Sequence, residues 1–218
     1  MNDMPDSGRF ALGPSRDDAE TLEWLSVLFA APPSLEAIAS YRRGPAAAML
    51  DRLAADPDLA LGVAALRREL HGALDDAALA AKIGMRFVLI FEGVAGPMTV
   101  SPYESAHRFD GRLFQAPTAE MAALLAAHDI SISPDVAEPA DHIAIELALA
   151  ARLTAADDPD AAAMTQRLAA WVPLFAAACI AASGGGFWAG AAHVLGAVVA
   201  RANRAAVRTS QLQQDRNN

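Results

Sequence analysis

The sequence predicts an all-α protein, a single-domain bundle of about eight to ten helices, and three observations lead there. Of its 218 residues 54% are hydrophobic, chiefly Ala and Leu, and its 8 Phe, 3 Trp and 2 Tyr are too few for an all-β domain. Apolar residues recur three and four apart, the spacing that lines one face of a helix. Proline and glycine cut the chain into pieces of helical length. At this size one hydrophobic core suffices.

The elements follow in order. Asp17 to Ala31 has acids in its first turn, then Leu22, Leu25, Leu28 and Phe29 at helical spacing, and stops at Pro32-Pro33. Short helices are expected from about Ser34 to Tyr41 and Pro45 to Ala55, separated by Gly44-Pro45 and ended by Asp56-Pro57. Longer ones run from Leu59 to His71 and from Asp75 to Phe91, the latter closing on the apolar run Phe87-Val88-Leu89-Ile90-Phe91. Gly93 to Pro117 carries Pro97, Pro102 and Pro117 with Gly93, Gly96 and Gly111, and reads as a long non-helical loop. Thr118 to His128 reads as a helix with Thr118 as its N-cap, and Ile130 to Ala137 as a second loop. Glu138-Pro139-Ala140-Asp141 opens the next helix, with Pro in the first turn where no hydrogen bond is lost, and it runs to about Ala156. Asp160 to Ala182 and Phe187 to Arg208 complete the bundle. Domain limits are therefore 17–208, with a flexible segment at 1–16 and a polar tail at 209–218.

Composition excludes several functions. A net charge of −9 repels a phosphate backbone and favours cationic ligands or peptides, so nucleic acid is not an expected partner. The single cysteine, Cys179, lies among alanines and reads as a buried small hydrophobe in a reducing compartment. The first twenty residues carry Asp3, Asp6, Asp17 and Asp18 and no apolar stretch, which argues against a secretory signal. Leu168 to Ala200 holds no charged residue, but Ser183-Gly184-Gly185-Gly186 breaks it and alanine dilutes each half. Two buried helices around a glycine loop are expected rather than stable membrane insertion.

Two constellations could carry chemistry. Glu138, His142 and Glu146 recur every four residues and, on the predicted helix, share one face with Asp141 beside them. Such a set is either a capping arrangement or a metal site, and the chain lacks the pair of Glu-x-x-His elements that a bundle metal centre needs. Ser101-Pro102-Tyr103-Glu104-Ser105 is a turn that places a tyrosine beside a carboxylate. Neither Cys179 nor Gly184-Gly185-Gly186 has the context of a nucleophile or a phosphate loop, and no cofactor is expected.

Four stretches, in order, resemble the TorD/DmsD/NarJ family of redox-enzyme maturation chaperones. They are Leu22-Glu23-Trp24-Leu25 with Pro32-Pro33-Ser34; Phe87 to Gly93 leading into Ser101-Pro102-Tyr103-Glu104-Ser105; Glu138-Pro139-Ala140-Asp141-His142; and Trp171-Val172-Pro173-Leu174-Phe175. The similarity spans roughly Thr21 to Val199. It implies an all-α cytoplasmic chaperone, not an enzyme, that holds the twin-arginine leader or the apo form of the catalytic subunit of a molybdenum oxidoreductase before export. Either a monomer or a dimer would serve. On this reading Glu104, Asp141 and Glu138 meet the arginines. Tyr103, Trp171 and the Phe87 to Phe91 segment, Phe91 included, line the apolar part, and His142 orients the acids beside Ser105. The competing expectation is a helical metal protein using Glu138, His142 and Glu146.

Overall fold

The computed structural model describes residues 15–93, 98–133 and 137–217, and most of the segment 1–16 expected to be flexible lies outside them. Among the described residues there are ten helices and no strand: α1 (Arg16–Ala30), α2 (Leu35–Arg43), α3 (Pro45–Ala54), α4 (Ala60–Leu70), α5 (Asp76–Phe91), α6 (Glu104–Arg108), α7 (Ala116–Ala127), α8 (Ile143–Ala155), α9 (Ala161–Ser183) and α10 (Gly186–Asn217).

Local sequence explains most boundaries. Ser15 caps α1 reciprocally: its hydroxyl accepts from the Asp18 amide at 3.1 Å, and its amide donates to the Asp18 carboxylate at 2.9 Å. Ser34 and Asp75 cap α2 and α5 from one side only, accepting from the Ala37 and Ala78 amides, and Pro45 occupies the first turn of α3. Arg42 then ties α2 to the α4–α5 turn, donating to the Leu70 and Leu74 carbonyls and to Asp76, each at 2.6 Å.

Packing follows from the apolar faces. α1 lies along α8, and α10 lies along both α9 and α4. Where α4 meets α10 the backbones touch: a Cβ on Gly62 would stand 2.7 Å from the Gly190 carbonyl, and one on Gly190 would stand 2.7 Å from the Gly62 carbonyl. Phe29, Phe87, Phe91, Phe175 and Trp188 form one aromatic cluster with centroids 5.1 to 6.2 Å apart for touching pairs. Trp188 is buried and donates to the Ile83 carbonyl at 3.0 Å, so its polar atom is satisfied.

The uncharged stretch is two core helices, as its composition predicts. α9 is long and apolar enough to cross a membrane by length and composition alone, but Trp171, Val172, Phe175, Ala176 and Cys179 are buried in the bundle. Gly184, Gly185 and Gly186 all have positive φ, and this turns α9 directly into α10.

Four boundaries differ from expectation, one of them the end of α10, which continues to Asn217 where Arg208 was expected to close it and a polar tail to follow. The loop between 93 and 117 contains a short helix, α6. α7 begins at Ala116 with Pro117 inside its first turn, so Thr118 is not its N-cap. The helix expected from Glu138 begins only at Ile143, with His142 as its N-cap, because His142 is extended and pairs with another segment. Glu138, His142 and Glu146 therefore do not share a helix face.

Candidate functional site

Residue Tyr103, just before α6, and His142, just before α8, form an antiparallel bridge between two loops. Its hydrogen bonds run from Ile143 N–H to the Pro102 carbonyl at 2.8 Å and from Glu104 N–H to the Asp141 carbonyl at 3.0 Å. The bridge sets the Tyr103 and His142 rings edge to face, 5.2 Å apart. Tyr103 then donates its hydroxyl to the Glu138 carboxylate at 2.6 Å. Burial and the neighbouring Glu138 hold the Tyr103 phenol far above the ordinary range. His142 is pushed below its usual value by burial, partly offset by Glu138 and Asp141. Its Nδ1 accepts from the Ala144 amide at 3.2 Å, which leaves the proton of the neutral ring on Nε2.

Beneath this surface lies a frame of buried acids. Asp141 accepts from Ser105 N–H at 2.9 Å, from the Ser105 hydroxyl, and from the Thr118 hydroxyl at 2.8 Å, joining α6 and α7 to the 138–142 loop. Glu104 and Glu146 are wholly buried. Glu104 receives Arg108 at 2.6 Å and pairs with Arg167, while Glu146 accepts from the Trp171 indole at 3.0 Å. Glu104 Oε2 and Glu146 Oε1 each lack an aligned donor. Burial first, and the Glu104 charge second, hold the Glu146 carboxyl well above its usual range.

The candidate residues thus separate into two layers. Tyr103, Glu138 and His142 come together at the surface, with Phe91 at the base of the cavity they border. Glu104, Ser105, Asp141 and Trp171 are buried and their polar groups are bonded inside the protein. In this structure Glu104 and Asp141 are positioning groups, and their oxygens do not reach the surface where arginines were expected to meet them. Nor do Glu138, His142 and Glu146 converge on a metal, because Glu146 points into the buried frame. The one set of His and carboxylates close enough to hold an ion, among the described residues, is His128, Asp158 and Asp160, away from this site.

Two cavities adjoin and share Ala30, Glu138 and His142. One, of about 460 Å³, is lined by Phe87, Phe91, Tyr103 and Leu113 with Glu92 and Glu138 as its acidic walls among the described residues. The other, of about 650 Å³, is mainly apolar and runs between α1 and α8, with Val27, Ile130, Ile132, Ile145 and Leu149 along it and Arg152 within its wall. Sequence reasoning did not single out Glu92, Val27 or the isoleucines as site residues. The alternation Ile130-Ser131-Ile132-Ser133 is a signal for an extended, half-buried wall, and Val27 is a large apolar residue outside the buried stripe of α1.

The family model described as nitrate reductase delta subunit matches residues 56–177. Among curated proteins, the chain is 28% identical over 189 residues to the chaperone protein TorD of Vibrio cholerae serotype O1 (strain ATCC 39541), covering 81% of this chain and 86% of the relative. It is 30% identical over 193 residues to that of Aliivibrio fischeri, covering 81% and 88%, and 29% identical over 198 residues to that of Aeromonas salmonicida, covering 85% and 89%.

Proposed function

This chain belongs to the nitrate reductase delta subunit family and within it to the TorD chaperones, and from that premise we propose that it binds the twin-arginine leader of a molybdenum oxidoreductase catalytic subunit. Binding takes place in the cytoplasm, before the client receives its cofactor and is exported. The chaperone is not an enzyme.

The observation that carries this reading is the adjoining pair of cavities. A twin-arginine leader presents guanidinium groups and then an apolar stretch. Its receptor therefore needs carboxylate and aromatic walls continuous with an apolar groove. Glu138 and Glu92 supply the charge in the smaller cavity, with Tyr103 and Phe91 against the stems of the arginines. The α1–α8 groove takes the apolar stretch. The net charge of −9 adds attraction for a cationic segment at low salt. Asp141 acts one layer down, and His142 through its bridge to Tyr103, by fixing the loop that carries Glu138.

Calorimetric titration with a panel of twin-arginine leader peptides, each beside a control in which both arginines are lysine, tests this. One leader is expected to bind at micromolar concentration or tighter, more weakly as its lysine control, and about tenfold more weakly to E138Q, the loss of one charge-assisted hydrogen bond. No heat from folded protein with any leader overturns the reading.

A further inference from the structure

Phe114 sits in the turn between α6 and α7 with φ +56 and is 70% exposed. Both facts work against stability. Left-handed backbone crowds the Cβ of a bulky residue, and glycine or asparagine is the usual occupant. A phenyl ring in water gives no burial in return, and no ring contact engages it within the described residues. The fold has no use for an aromatic side chain here.

The turn is nonetheless held in place. The Gln115 amide donates to the Ser105 hydroxyl at 3.3 Å, and the Gln115 side chain donates to the Leu113 carbonyl at 2.7 Å. Ser105 is in turn bonded to Asp141, so the buried acid that fixes the Glu138 loop also anchors this turn. Leu113 lines the cavity walled by Glu92, Glu138 and Tyr103, and Phe114 is the next residue of the same turn. Strained positions of this kind cluster at ligand sites, and this one follows directly on a residue that lines the cavity.

We propose that Phe114 is a specificity residue that stacks its ring on the guanidinium of a leader arginine whose charge is held by the carboxylates of the adjoining cavity. This rests on the leader-binding reading above. The carboxylates alone attract lysine and arginine alike, whereas a flat aromatic face favours the flat, weakly hydrated guanidinium. The ring therefore contributes to telling twin arginine from twin lysine.

The test compares wild type, F114G and F114W on one twin-arginine leader and its twin-lysine control, with a melting curve for each protein. F114G relieves the backbone strain, so its Tm is expected to be unchanged or raised. It should bind the arginine leader about threefold to tenfold more weakly and the lysine control nearly as wild type does, so that the arginine-to-lysine preference shrinks. F114W should restore that preference. Equal affinities and an equal preference in F114G overturn the proposal, as does a lowered Tm, which would make Phe114 a structural residue. If wild type binds no leader at all, the leader-binding reading itself fails. If wild type binds and F114G is unaffected, only the role of Phe114 fails.

Discussion

Replacing Asp141 by Ala is expected to cost about 3–5 kcal/mol, a large share of the roughly 5–15 kcal/mol that holds a domain of this kind together. The carboxylate accepts three hydrogen bonds, two from Ser105 and one from Thr118. A bond to a charged partner contributes about 1.5–3 kcal/mol, and three converging on one group do not add in full. Alanine also leaves the Ser105 amide in a buried position with no acceptor. Asp141→Asn retains one acceptor oxygen and should lose about half as much. Urea unfolding followed by far-UV circular dichroism gives these values from the shift in midpoint at constant slope. Hydrogen exchange should show faster opening at the Glu104 and Ile143 amides, which make the bridge beside Asp141. Were Asp141 only a charge near a helix N-terminus, its removal would cost under about 1 kcal/mol and salt would reduce even that. A loss that small refutes the bonding of Asp141 to Ser105 and Thr118 as a structural tie.

Two further outcomes follow from the buried layer and the core. Glu146 keeps a proton in the folded state that the unfolded chain releases above its ordinary value of 4.5, so the folded state binds more protons and stability falls as pH rises from there toward the raised folded value. E146Q is neutral throughout, so denaturation at pH 5 and pH 8 should show a flatter dependence and equal or greater stability at pH 8; a steeper fall would contradict this. Gly190→Ala should destabilise by about 1–3 kcal/mol through overpacking against the Gly62 carbonyl and Leu66, although alanine favours an isolated helix by about 1 kcal/mol. A higher melting temperature in G190A would mean that α4 and α10 do not touch as described.

How far the sequence reveals this arrangement depends on how local the determinant is. The ends of α1, α2, α3 and α5 follow from Ser15, Ser34, Pro45 and Asp75, which act within one helical turn. The gathering of Tyr103, Glu138 and His142 is legible only through the motifs that carry them. Helix start signals at Pro139 and Asp141 are satisfied on paper but are overridden by the pairing of His142 with Tyr103, a partner that no local rule contains. Burial is the hardest part to read. Asp141 and Glu104 look like surface acids until Ser105, Thr118 and Arg167 arrive from distant segments to bond them. Trp171 belongs to an apolar helix either way, and only the fold shows that its indole serves Glu146.

The pairing of α1 with α8 has a consequence for timing. One wall of the apolar groove, Val27 and Ala30, is synthesised more than a hundred residues before the other, Ile145 and Leu149. Arg201 extends the delay, since it ion-pairs with Asp18 of α1. At about 5–20 residues per second a ribosome needs several seconds to bring the two walls together. Until then neither wall is a receptor, and a half-made chaperone has no groove with which to capture a client or the exposed segments of its own sisters on the same message.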